Sequence, residues 1–273
     1  MPWMPPGFIL NLERMHSRLD MDLGMFSPWM AKERIKLYLY KDSHSYVSGE
    51  FNPPSWSNGL ALFEIKSVAV PDQTNRKALM RVISHETTHL LFEGYWHEAG
   101  KSPPSWLNEG LAMMEEEESP DHPERAPWFQ NMVMAKPGAF LPIAQFFTIT
   151  PTTDLHDNQE SIGNWYVQAF SMVYFLYRGH QTQRLQFKTF CANLRDGKSL
   201  EESLWISYRY RNLNTLDKDW RRWLSDPQFR RRVEAALAAE PPEPQAEDNK
   251  VKDGFSPGAS KFKPMKGFKS LRD

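Results

Sequence analysis

The chain has 273 residues, 40% of them hydrophobic, enough to bury one sizeable core or two small ones, since most domains run roughly 50 to 250 residues. Lys and Arg number 33 against 34 Asp and Glu, so at a formal charge of −1 no overall field recommends nucleic acid or an anionic membrane as partner. The single cysteine, Cys191, excludes an internal disulfide framework and any multi-cysteine metal site.

"MPWMPPGFILNLERMHSRLD" opens the chain with an acidic Glu13 ahead of its first basic residue, Arg14, unlike the basic n-region and apolar run of a secretory signal. As written, the N-terminus reads as cytoplasmic, or as that of an exported protein already trimmed. No run approaches about 18 consecutive apolar residues, so no membrane span is expected. Over residues 10–23, Leu12, Met15, Leu19 and Leu23 fall at helical spacing and predict an amphipathic first helix. "IKLYLY" (35–40) alternates apolar and polar positions, the period of a half-buried strand. A Pro-rich loop, "FNPPSWSNG", ends in the turn signal Asn58-Gly59. "LALFEIKSVAV" (60–70) then carries the β-branched and aromatic residues of a second strand, which Pro71 stops.

From Asn75 onward the pattern is helical, with one long irregular break between about Pro120 and Ile162. "NWYVQAFSMVYFLYRG" predicts a hydrophobic helix closed by Gly179. "TQRLQFKTFCANLRDG" repeats the form, with Phe187, Phe190, Cys191 and Leu194 on one face and Gly197 at the end. Ser199 and Glu202 of "SLEE" form a capping box, and "LDKDWRRWL" and a helix begun at Asp226-Pro227 complete this half. Beyond Glu240 the composition turns to Pro, Gly and Lys without periodicity, so residues 1–240 read as the folded domain and 241–273 as a disordered basic tail. From Lys250 that tail has seven basic residues against two acidic ones; solvation accounts for it, and contact with RNA, an acidic surface or a partner protein is the rival account.

Within "RVISHETTHLLFEGYW" (81–96), His85 and His89 stand four apart, so on a helix their imidazoles converge on one point, a geometry that suits zinc. Leu79, Ile83 and Leu90 supply a neighbouring apolar stripe, which turns the histidine face onto a cleft. Glu86 lies about 100° round from His85, badly placed as a third ligand but well placed to take a proton. The bland alternative is three polar residues on a helix, and a third ligand decides between the two. "PPSWLNEGLAMM" (103–114) offers one: Ser105 reads as an N-cap, and Glu109 follows His89 after nineteen intervening residues, enough chain for a loop and a second helix to return. Gly110 marks close approach of another backbone, expected here as two helices crossing over a shared zinc. Glu109 is otherwise explained as a helix-start acid favoured by the macrodipole.

"HETTH" followed at this distance by "WLNEGLA" resembles the gluzincin branch of zinc metallopeptidases, and looks closest to peptidase MA-like families that read H-E-L-T-H and then W-L-x-E-G-L-A. The likeness runs from about Leu10 to Leu237 and leaves out the tail. It implies an α+β fold with a small mixed sheet on the N-terminal side, a mostly helical C-terminal side and the active-site helix between them. It also implies Zn2+ held by His85, His89 and Glu109, with Glu86 as the general base for hydrolysis of a peptide or protein substrate. Such families bind substrate along an edge strand, here about Leu60 to Val70.

Two departures stand out. Thermolysin-type enzymes carry an aspartate four residues after the glutamate ligand, to orient a ligating histidine, and this chain has Met113 there, leaving Asn108 or Glu115 for the task. The metzincin variant is excluded by Phe92 and Tyr95. Tyr166 is the expected oxyanion donor, although a buried core tyrosine is the equal alternative; His97, His156 and His180 are further candidates, and His97 is a substitute ligand should Glu109 fail. "MEEEESPDHPE" (114–124) reads as a solvated acidic face, or as a preference for basic residues in substrate. Rival functions are a catalytically silent zinc-containing peptide-binding scaffold of the same fold, and a hydrolase of a non-peptide bond.

Overall fold

A computed structural model describes residues 4, 7–55, 57–117, 121–136, 138–155, 158–179 and 183–239. The chain begins with α1 (Phe8–Leu23), β1 (Lys36–Tyr40) and a short α2 (Ser43–Val47), capped by a reciprocal Asp42–Ser45 pair. Strands β2 (Leu60–Leu62) and β3 (Ser67–Pro71) follow, then the long α3 (Arg76–His97) and α4 (Ser105–Glu115). The remainder is helical: α5 (Pro127–Met134), one-turn α6 (Ile143–Phe146) and α7 (Pro151–Asp154), α8 (Gln159–Arg178), α9 (Gln183–Arg195), α10 (Leu200–Tyr208), α11 (Leu213–Leu224) and α12 (Pro227–Ala239). The fold is therefore α+β, mostly helical, with a small mixed sheet near the N-terminus. Among the described residues no helix is long and apolar enough to cross a membrane. The tail expected over 241–273 lies outside the described residues.

The strand expected over Leu60–Val70 is two strands. A 3-10 turn at Phe63–Ile65 and Lys66 in the left-handed region (φ 50°) reverse the chain, so that β2 pairs antiparallel with β3 while β1 pairs parallel with it on the other side. The reversal is held by packing: Phe63 lies on α3 at Gly94, where a Cβ would collide with its ring, and the Lys66 ammonium sits 3.2 Å from the Phe63 ring centroid. Central β3 is buried along its whole length, which explains its unbroken apolar run. Of residues 60–70, Leu60–Leu62 alone lies at a sheet edge, β1 forming the other.

The break expected between Pro120 and Ile162 also contains structure. Pro127 opens α5, which buries Phe129 and Met132, and α8 starts at Gln159 because Asn158 caps it by accepting from the Ser161 amide at 3.0 Å. Pro104, and not Ser105, occupies the N-cap position of α4. The Ser199–Glu202 capping box and the start of α12 at Pro227 are as expected.

Helix α3 is enclosed on both sides, with every residue from Ile83 to Phe92 buried. Leu79, Ile83 and Leu90 join Phe8, Val68 and Val70 in a small core beneath the sheet, while Leu91, Phe92 and Trp96 enter the large helical core. A helix so placed can bury polar side chains only if neighbouring elements partner them. Helix α4 meets α8, and Gly110 makes that contact possible, since a Cβ there would stand 2.5 Å from the Ala169 carbonyl oxygen. The close approach inferred at Gly110 is thus real, but its partner is α8 and not the histidine helix.

Candidate metal centre

One turn apart on α3, the His85 and His89 rings stand edge to face, 4.7 Å between centroids at 81°, and their Nε2 atoms are 3.0 Å apart. Glu109, in the second turn of α4, brings one carboxylate oxygen to 3.9 Å from His85 Nε2 and the other to 3.9 Å from His89 Nε2. Donor atoms of all three residues lie within 4.8 Å of one another, and both histidines are buried.

Each imidazole has an acidic neighbour behind it. His85 Nδ1 lies 2.8 Å from Glu116 Oε1, and the other Glu116 oxygen accepts the Trp128 indole N–H at 3.0 Å. A carboxylate only accepts, so Nδ1 carries the proton and the Nε2 lone pair faces Glu109 and His89. Burial acts to lower the His85 pKa, but the carboxylates of Glu116, Glu109 and Glu93 together outweigh it and hold it above the usual value. Behind His89, Glu93 stands 3.7 Å from Nδ1 and accepts the Asn108 amide at 2.6 Å.

These contacts revise the expected supports. Asn108 acts at one remove, by holding Glu93 in place. Glu115 does not face the histidines: it is fully buried and pairs with Arg18 at 2.5 Å and Arg178 at 3.5 Å. Arg178 also reaches Glu117 and Asp22, both at 3.3 Å. Arg18 further donates to the Glu115 carbonyl at 2.6 Å and to Ser84 Oγ at 3.0 Å. The acidic run is therefore not a solvated face through Glu117, because α1 and α8 clamp Glu115 and Glu117 and so fix the intervening Glu116 against His85. Glu118 lies outside the described residues.

Glu86 is buried, and among the described residues its Oε2 has no hydrogen-bond partner. Burial pushes its carboxyl up to about 7; His89 works against the shift, and Glu109, Glu93 and Glu116 add to it. Above it lies the loop into β2. Tyr46 Oη is 3.0 Å from Ser57 Oγ, Ser57 donates to the Gly59 carbonyl, and a Cβ on Gly59 would stand 2.5 Å from Glu86 Cγ. Gly59 is not in the left-handed region, so the Asn58-Gly59 pair serves clearance over Glu86 rather than a tight turn.

Tyr166 is buried on α8, and burial followed by the nearby Glu109 charge holds its phenol well above the usual range. His97 is exposed, packed on Phe63 and 3.5 Å from Glu64, apart from the His85–His89–Glu109 cluster. His156 and His180 lie outside the described residues. Sequence reasoning missed Glu93, Glu116 and the Tyr46–Ser57 support. Two of these had a signal: Glu93 is four residues beyond His89 and Glu116 seven beyond Glu109, positions that share a helix face.

A family model, the Peptidase MA superfamily, matches residues 18–226. The chain belongs to this superfamily. The match places the two histidines, Glu109 and the arginine-clamped acidic run of α4 inside a metallopeptidase-like fold, and it ends before α12. Comparison with curated proteins and with solved structures gives no significant match.

Proposed function

We propose that this Peptidase MA protein is a zinc-dependent peptidase of the gluzincin type, with His85, His89 and Glu109 as metal ligands and Glu86 as general base. The observation that carries the reading is the donor set: two Nε2 atoms 3.0 Å apart with a carboxylate oxygen 3.9 Å from each. Donors at ~2.0–2.2 Å from a tetrahedral zinc stand roughly 3.4 Å apart, so small side-chain adjustments bring these three to bonding distance. The His85 Nε2 lone pair and the Glu109 carboxylate, turned on one point, repel one another, and a divalent cation offsets that repulsion.

The chemistry that zinc supplies in such a site is Lewis acidity toward a carbonyl oxygen and toward water. Glu86 takes one proton from the attacking water and passes it to the amine nitrogen as the amide C–N bond breaks; a carboxyl pushed up to about 7 exchanges protons readily near neutral pH. Tyr166, kept protonated by burial and by Glu109, donates to the oxygen on which negative charge develops. An extended substrate adds to the sheet edge at Leu60–Leu62. Gly59 and the Tyr46–Ser57 pair hold the loop there against Glu86. The chemistry belongs to the unit ending near residue 240.

The test is a proteome-derived peptide library incubated with wild type and Glu86→Gln, with new termini read by mass spectrometry. Cleavage by wild type that Glu86→Gln loses by orders of magnitude supports the reading. Equal cleavage by both removes Glu86 as the base, and retention of peptides without cleavage favours the silent scaffold.

A further inference from the structure

Behind the metal cluster, bordered by Ser84 and Glu116, a cavity of about 550 Å3 opens between α1 and the N-terminal half of α3, within the roughly 300–1,000 Å3 typical of small-molecule sites. Its lining is strongly cationic, with Arg14 and Arg18 from α1 facing Arg76, Lys77 and Arg81 from α3. Two of these are committed elsewhere, Arg18 to Glu115 and Arg76 to Asp72. The acids at its floor are committed too: Glu116 to His85 and Trp128, Glu117 to Arg178. Arg14, Lys77 and Arg81 have no ion pair or side-chain hydrogen bond among the described residues.

This spacing is unfavourable by itself. Arg14 and Arg18 are like charges at i,i+4 on one helix, Lys77 and Arg81 are like charges at i,i+4 on the other, and the two pairs face one cavity. Arg14 and Lys77 are exposed and Arg81 is half-buried, and lining one concavity from two helices they focus a positive field into it. Phe8, Met15 and Met80 add an apolar wall. We propose that this cavity binds a small organic anion, a carboxylate or phosphate on an apolar body, with Arg14, Lys77 and Arg81 gripping the anionic group and the apolar wall taking the body. Guanidinium groups suit such a ligand because their planar fork matches an oxyanion with two parallel hydrogen bonds. The site does not depend on the hydrolytic reading, because none of its three free cations belongs to the His85–His89–Glu109 cluster.

The experiment is calorimetric titration of the full-length protein, as purified with its metal, using octanoate, octyl phosphate, inorganic phosphate and neutral octanol. Saturable binding of octanoate or octyl phosphate, tighter than inorganic phosphate and absent for octanol, is expected, and the better of the two identifies the anionic group. In the variant carrying Arg14→Gln, Lys77→Gln and Arg81→Gln, that affinity should fall by about tenfold or more while far-UV circular dichroism is unchanged. If the triple variant fails to fold, single Arg14→Gln and Arg81→Gln substitutions should each weaken binding severalfold. No saturable binding at millimolar concentrations overturns the proposal, and so does binding that survives the substitutions, which would belong to the metal centre or another surface.

Discussion

Replacing Glu86 by Gln should stabilise the metal-free protein at alkaline pH while destroying its proposed chemistry. Burial is the main cause that pushes the Glu86 carboxyl from 4.5 up to about 7. At 1.36 kcal/mol per pKa unit, that shift corresponds to about 3 kcal/mol. The folded state favours the neutral acid, so the folded chain keeps the proton up to about pH 7 while the unfolded chain releases it near 4.5. Stability from this group is therefore fully present below pH 4.5 and is lost as pH rises through about 7. Gln has nearly the same shape and never ionises, so it escapes the loss. By about pH 8 the variant should be more stable by up to ~3 kcal/mol, or roughly 6–12 °C in Tm for a chain of this size. Thermal melts of chelator-treated wild type and variant across this range provide the assay. The two should agree below about pH 4.5, part progressively as pH rises from there to about 7 and keep a nearly constant gap above it, and metal loading should shrink the difference because a cation offsets the buried charge. Parallel curves, or a wild type that is the more stable at high pH, would show that Glu86 ionises without cost.

Gly59→Ala places a Cβ 2.5 Å from Glu86 Cγ, so hydrolysis should fall by about tenfold or more with metal content unchanged, and undiminished turnover would show that the loop yields freely. Glu116→Ala removes the acceptor that sets the His85 tautomer and should weaken metal affinity by about 10- to 100-fold in competition with a chromophoric chelator; unchanged affinity would leave His85 oriented by packing alone. Arg178→Met leaves Glu115 and Glu117 short of a partner in the interior and should cost about 3–5 kcal/mol in denaturant unfolding, whereas a loss well under that would mean Arg18 alone satisfies the pair.

Much of this was legible in the sequence where order is local. The periodicity of α3, α4 and α8 is strong, and bringing His85, His89 and Glu109 together needs only the i,i+4 rule plus a returning helix, whereas the caps were less legible: Pro104 stands where Ser105 was expected, and Asn158 starts α8 inside the expected break. Hidden features depended on distant partners. Residues 60–70 have the composition of one strand, and what divides them is Lys66 in a left-handed conformation with Phe63 lodged on Gly94. Helix α5 forms between Pro120 and Ile162 because α8 offers it a surface, which no local pattern announces. Charge counting made the acidic run a solvated face; its cations come from Arg18, 97 residues before Glu115, and Arg178, 61 residues after Glu117. Glu116 escaped notice because the family pattern directs attention four residues beyond Glu109, where Met113 is buried, and not seven.

Metal content per chain, measured by elemental analysis on wild type beside Glu109→Ala, both purified without chelator, decides whether His85, His89 and Glu109 hold a metal ion. About one zinc per wild-type chain and much less in the variant is the expected result, because two histidines alone leave the site a ligand short. Equal zinc in both would remove Glu109 from the site, and no metal in either would make the paired histidines of α3 buried polar residues of a fold without metal chemistry.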